Sequence, residues 1–267
     1  MNPFRFLKHQ AEKKFYRAYQ KRLEAEAGTW KIPRHIGVIL DGNRRYAKAS
    51  GLDNIIKGHY EGADKLEEVL HWCDELGVEI FSIWIFSLDN FKRADDEVEG
   101  ILGLIERKMR ELVTIKGLHA NQIKVRAMGQ IERLPKSLQE AIRQAEEATK
   151  NYDKFILNVA VAYGGREEII EAFRGHLKAE IESGKDTKQI VEELSVDKIS
   201  PYLYTSNLPD PELIIRTSGE VRLSGFLLWQ SVYSEFYFCD TYWPSFRKID
   251  FLRAIRDYSH RKRRFGK

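Results

Sequence analysis

The chain has 267 residues, 43% of them hydrophobic and 31% charged, which is enough for one large α/β domain with a sizeable core. No apolar run reaches the roughly 18 residues that a membrane helix needs, no secretory leader is expected, and two distant cysteines without a Cys/His cluster fit a reducing cytoplasm and argue against structural zinc. The net charge of +4 hides basic ends on an acidic body: residues 1–34 carry nine Lys/Arg against three Asp/Glu, and residues 245–267 nine against two, which points to an anionic neighbour, whether phosphate, a lipid surface or nucleic acid.

Residues 4–25 space Leu7, Ala11, Phe15, Tyr19 and Leu23 four apart, one stripe of a basic helix. Such a helix can lie on an anionic membrane surface or pack its stripe on the body of the protein. Gly28 ends it, and Trp30–Arg34 link residues 1–34 to the domain at 35–267. Ile36–Leu40 is apolar and rich in β-branched residues, as a strand buried on both faces is. Asp41, Gly42, Asn43, Arg44 and Arg45 follow at once. Lys48–Gly58 reads as a loop, Glu61–Leu76 as a helix, Glu79–Phe86 as a second strand and Asp95–Leu118 as a long helix. Ile123–Met128 is a third strand, Pro135 opens a helix, Phe155–Ala162 is a fourth strand with a helix from Glu167, and Glu212–Arg216 is a fifth. A mostly apolar run at Leu227–Phe238 and a basic helix at Lys248–Arg264 close the chain. Strands alternating with long helical patterns predict a single α/β domain with a mostly parallel central sheet flanked by helices.

Parallel strands bring their carboxyl ends to one edge, where ligands bind in open α/β sheets. Three polar clusters should converge there: Asp41 to Arg45, then Ser87 with Asn90 and Arg93, then Arg216 with Glu220, Arg222 and Ser224. One aspartate, several guanidiniums, hydroxyls and an amide suit a hard cation and phosphate groups better than acyl transfer or redox chemistry. Neither a P-loop nor a GxGxxG turn is present.

DGNRR, FSLDNFKR with Glu97 downstream, AYGGREE, and IRTSGEVRLSGFLLWQ with YSEFYF together resemble the cis-prenyltransferases, the family of undecaprenyl and dehydrodolichyl diphosphate synthases. The resemblance spans about His35 to Phe265 with the motifs in family order. It implies Mg²⁺-dependent condensation of isopentenyl diphosphate onto an allylic diphosphate primer (farnesyl or geranylgeranyl), building a long polyprenyl diphosphate for a glycosyl carrier lipid. By resemblance Asp41 binds Mg²⁺, supported by Glu235, and Gly42, Asn43, Arg44, Arg45 and His59 meet the allylic diphosphate. Asn43 and Asn90 assist condensation and proton loss. Arg216, Arg222 and Ser224 hold isopentenyl diphosphate, and Ser87, Arg93 and Glu97 lie around both substrates. A homodimer is also implied; apart from the resemblance, the cysteine usage fits a cytoplasmic location, the basic N-terminal helix offers peripheral membrane contact, and no nucleic-acid partner is expected.

The chain departs from the family pattern at Ile55, where an arginine usually stands; Lys57 is the nearest cation expected to replace it. Leu88 and Gly225 replace a frequent serine and asparagine. A non-catalytic partner subunit is the alternative these changes raise. From pattern alone, a phosphohydrolase remains open.

Overall fold

The computed structural model describes residues 3–114 and 116–261. The side chains of residues 1–14, which include the Leu7 and Ala11 part of the expected stripe, and residues 262–267 of the basic tail lie outside the described residues. In chain order the elements are α1 (Pro3–Ala27), β1 (His35–Ile39), α2 (Asn43–Ala49), α3 (Ile55–Leu76), β2 (Ile80–Ser87), α4 (Asp95–Thr114), α5 (Lys116–Ala120), β3 (Ile123–Met128), α6 (Lys136–Thr149), β4 (Phe155–Tyr163), α7 (Gly165–Glu182), α8 (Thr187–Glu193), α9 (Val196–Ile199), β5 (Leu213–Arg216), β6 (Glu235–Phe238) and α10 (Lys248–His260). The six strands form one sheet in the order β3-β4-β2-β1-β5-β6, every neighbouring pair parallel. β1 is buried at every residue, as a strand covered on both faces must be. Its larger core packs Val38, Phe81, Ile83, Leu157 and Val159 against α3, α4 and α6, while Ile39, Ile214, Tyr163, Phe226 and Leu227 form a second cluster.

The expected single α/β domain is present, with differences that have local causes. The segment read as a loop over Lys48–Gly58 is a loop only at 50–54 and helical at both ends: α2 runs to Ala49, and α3 already starts at Ile55 because the Asn54 side chain accepts the Ile56 N–H at 2.8 Å and caps it. Gly51 and Gly58 gave this stretch its loop-like look, and Gly58 and Gly62 are there for close packing: a methyl on either would collide with Asn43. The helix expected through Leu118 is divided between α4 and α5, and α7 begins at Gly165 rather than Glu167. A sixth strand, β6, emerges from the aromatic run. At the amino end, Leu23 packs with Ile249 and Leu252 of α10, joined by Tyr19 and Trp30. Arg256 donates to the Tyr19 hydroxyl at 2.8 Å, and Lys248 pairs with Glu24 at 3.2 Å. The stripe from Tyr19 onward therefore serves the body of the protein, whereas Phe15 is 71% exposed. Among the described residues no helix is long and apolar enough to cross a membrane.

Candidate active site at the carboxyl edge of the sheet

β1 ends at Ile39, and Ile39 is level with Arg216 of β5, so Asp41 and Arg216 leave adjacent strands side by side. Arg216 Nη2 donates to Asp41 Oδ2 at 2.8 Å, and Thr217 Oγ1 donates to the Asp41 carbonyl at 2.7 Å. Gly42 makes the turn with φ of 108°, a left-handed conformation, and a methyl there would press on Tyr242 and Ser218. α2 then carries Arg45 back over the edge, where it contacts Asp41 at 3.3 Å, Ser218 and Glu220 at 3.0 Å. Glu220 also binds Arg222. The result is one ion network, Arg222–Glu220–Arg45–Asp41–Arg216, built from two distant parts of the chain.

These groups line a polar cavity of about 560 Å³ whose walls include Asp41, Gly42, Asn43, Arg44, Arg45, His59, Ser87, Asn90, Arg93, Arg216 and Ser224. Most of the expected residues are thus brought together. Glu97 stands behind the wall and holds two of its arginines, Arg93 at 2.9 Å and Arg44 at 3.4 Å. Asn90 is partly occupied in shaping the loop, its Oδ1 accepting the Ser87 N–H at 3.0 Å. Arg222 sends its carbonyl to Arg216 Nη1 at 2.5 Å while its side chain is 61% exposed. His59 is held near a pKa of about 4, by burial first and then by the neighbouring Arg93 and Arg44, so it is neutral at neutral pH.

Glu235 is the exception. It opens β6 level with Leu213, which is itself level with Ile36, and so lies at the amino edge of the sheet, five positions below Asp41. At about 3.3 Å per strand residue the two carboxylates are on the order of 15 Å apart along the strands. Glu235 pairs instead with Arg261 at 2.7 Å. Within one chain it shares no site with Asp41, because residue order along a parallel strand decides which edge a side chain reaches. Lys57 is corrected as well: it pairs with Asp53 at 2.7 Å on the surface. Lys48, one turn beyond Arg44 and Arg45 on α2, is the cation that reaches the cavity. Sequence reasoning passed over it because α2 was read as loop from that residue onward. It also passed over Trp84, which lines the same cavity.

Six buried side-chain polar atoms among the described residues lack a hydrogen bond, and four belong to cavity-lining residues: Asn43 Oδ1, His59 Nε2, Trp84 Nε1 and Arg216 Nε. Trp84 and Arg216 can only donate, so what they lack is an acceptor such as a phosphate oxygen. Among the described residues no group of three or more His, Cys, Asp or Glu could cage a metal. Asp41 is a hard oxygen donor amid phosphate-type ligands, and that fits a Mg²⁺-sized ion held by one carboxylate plus the oxygens of a bound diphosphate.

A second cavity of about 280 Å³ adjoins the first, with Leu40, Asn43, His59 and Ile85 lining both. It runs between the sheet and two helices, past Leu66 and Leu70 of α3, Ile101, Ile105 and Met109 of α4, and Ile83, Leu157 and Val159 of the strands. Asp74, Lys108 and Asn121 also line it.

Residues 39–266 match a prenyltransferase family described as "Putative undecaprenyl diphosphate synthase". An isoprenyl transferase of Deinococcus radiodurans is 51% identical over 250 residues, covering 93% of this chain and 91% of that protein. A tritrans,polycis-undecaprenyl-diphosphate synthase (geranylgeranyl-diphosphate specific) of Methanocaldococcus jannaschii is 47% identical over 266 residues, covering 99% and 92%. Among solved structures, lavandulyl diphosphate synthase from Lavandula x intermedia in complex with dimethylallyl diphosphate is 35% identical with a TM-score of 0.80, covering 88% of this chain and 99% of that one.

Proposed function

The chain belongs to the cis-prenyltransferase family of polyprenyl diphosphate synthases, and from that premise we propose a Mg²⁺-dependent synthase that adds isopentenyl diphosphate to a farnesyl or geranylgeranyl diphosphate primer. The observation that carries this reading is the joining of the two cavities across Asn43 and His59. A diphosphate head fits the cationic chamber and a hydrocarbon tail the apolar one. The long product would serve as a glycosyl carrier lipid. β6, at the edge of the sheet beside exposed Val232 and Tyr233, supports assembly as a homodimer. The basic N-terminal helix would bring the enzyme to the bilayer that takes up its product.

In this reading Arg44, Arg45 and Lys48 of α2 hold the allylic diphosphate, with His59 and Arg93 beside Arg44. Arg216, Ser224 and Arg222 hold isopentenyl diphosphate. Asp41 would hold the cation, which when bound neutralises the charge that grows on the leaving diphosphate. Guanidiniums fixed before the reaction add to that stabilisation without reorganising, and two diphosphates held in register bring the isopentenyl double bond to the allylic carbon. Asn43, facing both cavities, is placed to orient the reacting ends. Purified protein with labelled isopentenyl diphosphate and primers of ten, fifteen and twenty carbons tests the reading. Chain-extended product is expected, and release of inorganic phosphate without isopentenyl diphosphate would point to a phosphohydrolase instead.

A further inference from the structure

Behind the Arg216 end of the cavity lies a buried carboxylate that the mechanism above does not use. Glu168, in the first turn of α7, is 1% exposed. Its Oε2 accepts the Tyr163 hydroxyl at 2.5 Å, and its Oε1 accepts the Tyr204 N–H at 3.0 Å and the Gln230 amide at 2.9 Å. Three donors converge on a group that can only accept while ionised. The Tyr163 oxygen in turn accepts the Leu227 N–H at 3.1 Å. Leu227 closes a turn in which Ser224, Gly225 and Leu227 have φ of 53°, 104° and 47°. Two of these are not glycine, and a backbone held there persists only where its surroundings over-determine it.

The surroundings do so from three sides. Gly165 lets α7 abut the turn, since a methyl there would collide with the Gly225 carbonyl. Phe226 stacks on Trp84 at 5.5 Å and meets the Tyr163 ring edge-on at 6.1 Å. At the front, Arg216 Nη1 donates to Ser224 Oγ at 2.8 Å. Neither Glu168 nor Tyr163 lines the polar cavity, yet one line of hydrogen bonds runs from Glu168 through Tyr163 to the turn whose first residue does. The AYGGREE motif thereby finds its use: it supplies the tyrosine, the glycine and the glutamate of one brace.

We propose that Glu168, acting through the Tyr163 hydroxyl, is a positioning residue that fixes the Ser224–Leu227 turn and so sets affinity for the diphosphate held by Arg216 and Ser224. This rests on the reading that isopentenyl diphosphate occupies that end of the cavity. The test is steady-state kinetics of full-length Glu168→Gln, Tyr163→Phe and the double variant, each with its melting temperature. KM for isopentenyl diphosphate should rise about tenfold in each single variant, the scale of one strong hydrogen bond lost. KM for the primer should stay within about twofold, because α2 is untouched. The double variant should be no worse than the worse single one, since both cut the same line. A lowered melting temperature with unchanged KM, an equal rise of both KM values, or additive effects would overturn the proposal. If Tyr163→Phe fails to fold, Glu168→Gln, which keeps shape and volume, decides alone. A wild-type chain that makes no product would instead remove the assignment of the cavity, and this inference with it.

Discussion

The two edges of the central strands hold two buried polar clusters of opposite kind. At the amino edge, Asn158 donates to Ser82 Oγ at 2.9 Å, Ser82 lies 2.7 Å from His35 Nε2, and His35 Nδ1 lies 2.7 Å from the Pro209 carbonyl. Read as a neutral imidazole protonated at Nδ1, His35 closes that chain with both ring nitrogens satisfied. At the carboxyl edge the sheet delivers Asp41, Asn43, Trp84 and Arg216, all lining the polar cavity, and three of these four side chains keep a buried polar atom without a hydrogen-bond partner. A closed cluster ties strands together. An open one is held ready for a ligand that completes it.

This contrast can be broken at either edge. The largest effect is expected from Asp41→Asn, which keeps the shape but removes the charge that would hold the cation: turnover should fall on the order of a thousandfold or more. Its melting temperature should move only a few degrees, because Arg216 keeps Ser224 and the Arg222 carbonyl. Gly42→Ala forces a side chain into the left-handed turn and against Tyr242, and should cost about 1–3 kcal/mol of stability, read by denaturant titration, along with most activity.

At the amino edge the effect appears in stability against pH. Burial depresses the His35 pKa to about 4 from its ordinary 6.5. Between those values the unfolded chain takes up a proton that the folded chain refuses, so stability is full above pH 6.5 and lost as pH falls toward 4. The loss from this residue should approach about 3 kcal/mol. Unfolding titrations of the wild type and His35→Gln at pH 7 and 4.5 should show a shallower pH dependence in the variant. The smallest effect is Lys48→Ala, with primer KM raised a few-fold and kcat nearly constant. Lys57→Ala, whose lysine pairs with Asp53 outside the cavity, should change neither.

The carboxyl edge was legible in the sequence because its signal is local: an apolar β-branched run stops, and charge begins within two residues, at Ile39–Asp41 and again at Arg216. Parallel connectivity then forces such ends together. The amino edge and the Glu168 brace were not legible, since His35, Ser82 and Asn158, or Tyr163, Gln230 and Leu227, are partners that only the folded register makes. Glu235 shows the limit from the other side. Its motif position pointed to the metal, yet four residues of strand placed it at the far edge, beside Arg261. The first turn of α3 was misread for the reason that makes it work, because Gly58 looks like a loop residue and is in fact where α3 lies against Asn43.

The central claim is that the open cluster is completed by substrate diphosphates around Asp41. Its most direct test is incorporation of labelled isopentenyl diphosphate by the purified chain, with and without Mg²⁺ chelation, beside Asp41→Asn. The account predicts an organic-extractable product of many isoprene units that depends on an allylic primer and disappears with chelator or with the variant. Product formation that survives the loss of the Asp41 charge would contradict it.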